Sequence, residues 1–219
     1  MQRDHAVDPA SSSARMAGLL AFNQNRKASS RENLLAAAIK LFCRDGYAEV
    51  SIEDITGEAG VSRVTFYRHY ASKAAVALEL FRHAAADGTP RVLAIGTRDY
   101  RNRATVAEWL ADCFAADYAM QGILRVLSQA NVEEADFSRA VQPYIFDLIG
   151  GLGKTIPAFA IDPGRPADAR RRVEAWLLLY TILDQSNHAA TRSGISADPL
   201  MIDVLADTFL DFVNRETDR

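Results

Sequence analysis

Residues 46–73 read GYAEVSIEDITGEAGVSRVTFYRHYASK, and this stretch decides the local architecture. Ser51 has the chemistry of an N-cap, and Asp54 three residues on can return the hydrogen bond, an Asp variant of the capping box. Ile52, Ile55 and Ala59 follow at the i, i+3, i+7 spacing of one helix face. Gly60 stands where a helix ends in the left-handed conformation. Val61 reads as a buried turn residue, Ser62 caps a second helix over roughly residues 63–70, and Ser72 caps a third. Upstream, Ser29 or Ser30 opens a helix with Leu34, Leu35, Ala38, Ile39 and Phe42 on one face, and Gly46 closes it. The order is therefore helix, helix, short turn, helix.

Two helices joined by a few residues containing Gly make a helix-turn-helix, the arrangement that carries a recognition helix into a DNA groove. On the helix after Ser62, Phe66 and Tyr70 are four apart and can pack inward together. Arg63, Thr65, Tyr67, Arg68 and His69 are left partly outward. A guanidinium at Arg63, near the helix start, can pair bidentately with guanine O6 and N7. Thr65 offers a hydroxyl or a methyl, and Val64 a contact to a thymine methyl. Tyr67 and His69 carry donors suited to phosphate oxygens, which position a protein without reading sequence. Lys73 stands in the first turn of the next helix, where the free backbone N–H groups also favour an anion.

Gly46, Ser51, Ile55, Ala59-Gly60-Val61-Ser62, Tyr67, His69, Tyr70 and Ser72-Lys73 together resemble the N-terminal signature of the TetR family of transcriptional regulators, over roughly residues 30–82. Two positions depart from the usual pattern. Thr56 stands where Ala is common, and Val64 where the recognition helix usually has Gly or Ala. The resemblance implies an all-α chain with a three-helix DNA-binding domain, a C-terminal helical regulatory and dimerisation domain, and a homodimer on a pseudo-palindromic double-stranded operator. The expected division is a flexible arm at 1–28, the helix-turn-helix domain at 29–83 and the ligand-binding and dimerisation domain at 84–219. In the arm, Arg26 and Lys27 are either a basic extension reaching an adjacent minor groove or part of a solvated tail.

The remainder reads as helices without strand-like alternation. The fourth helix runs roughly over residues 73–86, and Gly88-Thr89-Pro90 breaks it. Thr105 caps a segment with Val106, Trp109, Leu110, Cys113, Phe114 and Tyr118. Residues 122–134 carry Ile123, Leu124, Val126 and Leu127. Asp136 opens another helix with Val141, Tyr144, Ile145, Leu148, Ile149 and Leu152, in which Gly150-Gly151 is either a kink or the helix end. Within Ala167–Thr191, residues 175–183 are apolar nearly all round, so this helix must be covered on more than one side. The last helix opens at Pro199 and bears Val204, Leu205, Phe209, Phe212 and Val213. The resemblance implies that these last two helices pair across a two-fold axis, and Leu178, Ile182, Leu205, Phe209 and Phe212 are the expected interface. Trp109, Tyr118, Tyr144, Phe146, Trp176 and Tyr180 are the candidate lining of an apolar effector cavity between helices.

Composition agrees. The chain has 219 residues, 49% hydrophobic, with a formal net charge of −3. Residues 26–83 hold nine Lys/Arg against seven Asp/Glu, and residues 84–219 hold fourteen against nineteen. The charge is thus distributed with the helix-turn-helix slightly positive, which suits a bounded DNA footprint. Cys43 and Cys113 have no CxxC spacing and read as two buried free thiols. No segment approaches the roughly 20 apolar residues of a membrane span, so a cytoplasmic protein without membrane contact is expected. There is no Gly-rich phosphate loop, metal-spaced His/Cys cluster or plausible triad, so no enzyme activity, cofactor or metal is expected. The expected activity is that of a repressor released by a small, largely apolar effector. In this scheme the effector shifts the fourth helix as a lever and changes the separation of the two recognition helices. The alternative is a DNA-bound scaffold that recruits a protein partner without any small molecule.

Overall fold

A computed structural model describes residues 29–193 and 198–215. Arg26, Lys27 and the rest of the expected arm lie outside the described residues. A helix over residues 29–45 (α1) is followed by α2 (Ile52–Ala59), α3 (Arg63–His69), α4 (Lys73–Leu93), α5 (Arg103–Ala119), α6 (Gln121–Glu133), α7 (Ala135–Val141), α8 (Pro143–Leu152), α9 (Ala169–His188) and α10 (Pro199–Asn214). Among the described residues there is no strand, in keeping with the all-α expectation.

The local signals act as their chemistry requires. The Asp54 amide donates to Ser51 Oγ at 3.1 Å, and the Ser51 amide donates to the Asp54 carboxylate at 2.9 Å, closing the capping box. Gly60 takes φ +65°, and the amides of Gly60 and Val61 return to Gly57 O and Thr56 O at 3.2 and 3.0 Å. These bonds satisfy carbonyls that the end of α2 would otherwise orphan. Ser62 and Ser72 cap α3 and α4 through the amides of Thr65 and Ala75. Val61 is half-buried in the turn.

Four expectations from the sequence need correction. First, Pro90 does not end α4, which runs on to Leu93. Pro90 and Ala86 are both on the exposed side, so the carbonyl left without a donor can meet water and the usual penalty is softened. Second, Asn102 and not Thr105 caps α5, accepting from the amides of Ala104 and Thr105. Third, the helix expected from Asp136 is two, because Pro143 starts α8 at its first position. Gly150-Gly151 lies in the last turn of α8, which ends at Leu152. A Cβ on Gly151 would come within 2.8 Å of a Leu93 methyl, so its role is to let α8 approach the end of α4. Fourth, Cys43 is exposed and only Cys113 is partly covered, both as free thiols.

Two cores organise the chain. The first gathers Leu34, Phe42, Tyr47, Ile55, Phe66, Tyr70 and Leu80 from α1–α4, and it also takes Val126, Leu127 and Ala130 from α6 and Phe137 from α7. The N-terminal helices are therefore closed by residues that lie far along the sequence. The second core lies among the end of α4, α5, α8, α9 and α10. There Trp109 and Phe209 have ring centres 5.4 Å apart and Phe159 and Phe212 4.8 Å. Arg171 lays its guanidinium over the Phe212 ring at 3.7 Å and donates to Phe212 O at 2.6 Å, an arrangement that ties α9 to the C-terminal end of α10.

Candidate nucleic-acid interface

α3 is fastened on one side and bare on the other. Phe66 is fully buried, with Tyr70 beside it at a ring separation of 5.8 Å. Behind them Arg31 of α1 makes a two-pronged pair with Glu79 of α4 at 2.5–3.1 Å, and its guanidinium lies 5.6 Å from the centre of the Tyr70 ring. Opposite this anchor, Val64 is 71% and Tyr67 50% exposed, and Arg63 and Arg68 are also exposed. The structure thus brings Arg63, Val64, Tyr67 and Arg68 onto one open face of a short, rigidly held helix. His69 is half-buried at its end.

The remaining expected residues have more constrained places. Thr65 is half-buried, and its hydroxyl lies 3.0 Å from Ser62 Oγ in a shared hydrogen bond. Thr65 is thereby joined to the cap of its own helix. Ser51 is likewise engaged with Asp54, donating its hydroxyl to the carboxylate at 2.5 Å. Lys73 Nζ donates to Tyr47 O at 2.8 Å and Ala48 O at 3.3 Å, and sits 4.3 Å from the centre of the Tyr47 ring. Two of its three donors are turned to the protein, so Lys73 holds the α1–α2 connection against the start of α4.

Some contributors are not visible in the sequence. Tyr47 is fully buried; its hydroxyl donates to Glu134 at 3.0 Å and its amide to Gln129 Oε1 at 2.7 Å. Burial first, and then the Glu134 carboxylate, push the Tyr47 phenol up. Glu53 of α2 forms an ion pair with Arg63 across the turn, and the Arg63 guanidinium also lies 6.0 Å from the Tyr67 ring centre. No spacing rule announces that pair, because it depends on the angle between α2 and α3. Glu53 also edges a groove of about 460 Å³ whose lining includes Asp45, Glu49, Asp54 and Glu58 with Arg44. That acidic face of α1 and α2 would repel a polyanion, which leaves the α3 face as the side open to one.

In the body, the six aromatic candidates are not brought together. Trp109 is buried in the second core, its indole N–H donating to Arg91 O at 3.1 Å. Tyr118 is half-buried on α5. Tyr144 is half-buried, accepts from the Thr89 hydroxyl at 3.2 Å and meets Phe81 edge-on at 5.4 Å. Phe146 and Tyr180 are exposed. Trp176 stacks on Tyr180 at 5.0 Å and lines, with Phe146, Pro163, Arg172 and Val173, an open groove of about 470 Å³. A half-buried acid that no sequence pattern announces also lies in the body, where Ser186 donates to the Asp117 carboxylate at 2.5 Å. Burial raises the Asp117 carboxyl above the usual range and pushes the Cys113 thiol up to about 12.

The expected interface residues Leu178, Ile182, Leu205, Phe209 and Phe212 are all buried in the core of the single chain. Their stripes face each other within one protomer. The apolar side chains left outside on the same helices are Val173, Leu177 and Tyr180 of α9 and Leu200 and Val204 of α10. Among the described residues, no helix is long and apolar enough to cross a membrane.

Fold and site together define an all-α protein built on an N-terminal helix-turn-helix. Residues 34–80 match the model of the tetR family of bacterial regulatory proteins. A Mycobacterium tuberculosis protein, MftR, assigned as a transcriptional regulator of mycofactocin biosynthesis, is 39% identical over 51 residues, which are 23% of this chain and 26% of that relative. The likeness in sequence to that relative thus spans about a quarter of its length. Likeness in fold extends much further. Salmonella enterica GusR superposes with a TM-score of 0.59 at 16% identity, over 84% of this chain and 95% of that one. A Mesorhizobium loti protein assigned to the TetR-family transcriptional regulators gives 0.58 at 16% identity, over 87% and 98%. The family and the curated relatives are transcriptional regulators, not enzymes.

Proposed function

We propose that this chain is a cytoplasmic, dimeric, sequence-specific DNA-binding transcriptional regulator that places α3 in the major groove of a pseudo-palindromic operator. The observation that carries the reading is the two-sided character of α3. Phe66 and Tyr70 fix its orientation from within, while Arg63, Val64, Tyr67 and Arg68 stand clear. Arg63 and Val64 at the helix start are the base readers, for guanine and a thymine methyl respectively. Tyr67, Arg68 and His69 serve the phosphates, and Lys73 adds its remaining donor at the first turn of α4. Ser51, Ser62 and Thr65 hold the helix ends in register. Two protomers present two such helices when Val173, Leu177, Tyr180, Leu200 and Val204 meet their mates across a two-fold axis, because an apolar patch of this kind is costly in water.

The activity proposed is repression relieved by a small molecule. Tyr144 of α8 meets Thr89 of α4, and Asp117 of α5 meets Ser186 of α9; a small molecule that engages these groups would act on α4. The half-buried Asp117 and Tyr144 favour a ligand with polar groups over the largely apolar one expected from the sequence. A scaffold that binds a protein partner is the second reading, favoured by the open groove at Phe146, Val173 and Trp176. Selection of duplexes from a random pool tests the main reading. It should return two inverted half-sites about one helical turn apart, and enrichment of no sequence would reject it.

A further inference from the structure

The Glu53–Arg63 pair has no evident task in the fold. Both side chains are more than half exposed, and an exposed pair contributes little to stability. α2 is already capped by the Ser51–Asp54 box, and α1 is tied to α2 by Lys40 and Glu58 at 2.7 Å. Yet Glu53 is the point at which the acidic face of the domain reaches the exposed face of α3. It holds one end of the Arg63 guanidinium, and the Tyr67 side chain engages the guanidinium on another side.

Resting on the DNA-binding reading above, we propose that Glu53 is a specificity-determining residue that acts with Arg63 to select a G·C pair. A carboxylate only accepts hydrogen bonds. Carried against a polyanion it is unfavourable unless a donor meets it, and cytosine N4 is the major-groove donor suited to Asp or Glu. With Arg63 on guanine O6 and N7, Glu53 can keep its grip on Arg63 and take the N4 amino group of a cytosine in the same or the adjoining pair. At an A·T pair Arg63 loses its bidentate partner, and the carboxylate is pressed towards the duplex with its charge unmet. Discrimination then arises from a penalty on wrong sites as much as from a bond at the right one.

The test uses the full chain and a duplex selected by the wild type from a random pool. Kd is measured for that duplex and for versions with A·T replacing each G·C pair, for wild type, Glu53→Gln, Arg63→Ala and the double variant. Melting curves check that all four fold. Glu53→Gln should bind unrelated DNA several-fold more tightly and lose roughly five-fold or more of its preference for G·C at one position of each half-site. The double variant should discriminate no better than Arg63→Ala alone, since the two act as a unit. An equal gain by Glu53→Gln on every duplex overturns the proposal and makes Glu53 a plain surface charge. Failure of the wild type to select any sequence rejects the DNA-binding reading itself, and this proposal with it.

Discussion

The backbone amide of Tyr47, between α1 and α2, donates to the side-chain oxygen of Gln129 on α6 at 2.7 Å, across 82 residues of sequence. The same tyrosine reaches Glu134 with its hydroxyl and receives Lys73 on its carbonyl and ring. With Val126, Leu127 and Ala130 in the N-terminal core, this makes α6 a structural part of the helix-turn-helix unit. In the proposed effector response, a shift of the body would then reach α3 through α6 as well as through α4. Gln129→Ala should leave the buried Tyr47 N–H without a partner and cost about 1–3 kcal/mol. Hydrogen exchange should show faster opening at the Tyr47 amide; unchanged exchange there would mean the bond does not couple the two parts.

The turn before α3 rests on one backbone conformation. Gly60 has φ +65°, and a Cβ added there would meet nothing within 4 Å, so Gly60→Ala has a conformational cost and no clash. A loss of roughly 1–2 kcal/mol is expected, with Gly60→Asn less harmful because Asn tolerates the left-handed region. Phe66→Ala, which empties a fully buried site, should cost about 3–5 kcal/mol. Chemical denaturation gives all three values, and a Gly60→Ala loss as large as that of Phe66→Ala would contradict this account of the turn.

Asp117 sets a pH dependence opposite to that of an ordinary surface carboxylate. Burial raises its folded pKa above the unfolded value. The folded state then holds more protons over that interval, so the cost of the buried charge is present in full above the folded pKa and fades as pH falls towards the unfolded value, about 3.9. Asp117→Asn keeps an oxygen for Ser186 to donate to and removes the charge. Its Tm should exceed that of the wild type at pH 7–8, and the gain should shrink as the solution is made acidic. A variant less stable at every pH would show that the ionised carboxylate has a partner that stabilises it.

The exposed patch and the buried stripe on α9 and α10 respond differently to substitution. Leu177→Asp with Val204→Asp changes two side chains that are each more than half exposed. The variant should stay folded and sediment as a monomer, and the wild type as the proposed dimer. Leu178→Ala, next along α9 but buried, should lose about 2–5 kcal/mol of stability without that clean dissociation. A double variant that remains dimeric would move the interface elsewhere.

What can be read from the sequence follows the range of the forces involved. Ser51, Gly60, Ser62 and Ser72 act on neighbours within a few residues, so their roles are legible, and so is the inward pairing of Phe66 with Tyr70. Pro90 misleads because its penalty depends on which side of α4 faces water, a tertiary property. Leu178 and Phe209 mislead for a similar reason. A stripe shows that a helix is buried on that face, but not whether the covering helix belongs to the same chain. The Glu53–Arg63 and Tyr47–Gln129 contacts are invisible, since each is created by an angle or a packing between helices that no local pattern encodes.

Fluorescence anisotropy on a selected duplex and a scrambled one of equal length shows whether the open face of α3 reads DNA. The wild type should prefer the selected duplex by about 10³-fold or more at physiological salt. Arg63→Ala should lose roughly 5–150-fold of preference at one base position, while Tyr67→Ala should weaken both duplexes by a common factor. Equal wild-type affinity for the two duplexes, or two variants indistinguishable from the wild type, would contradict this readout of DNA.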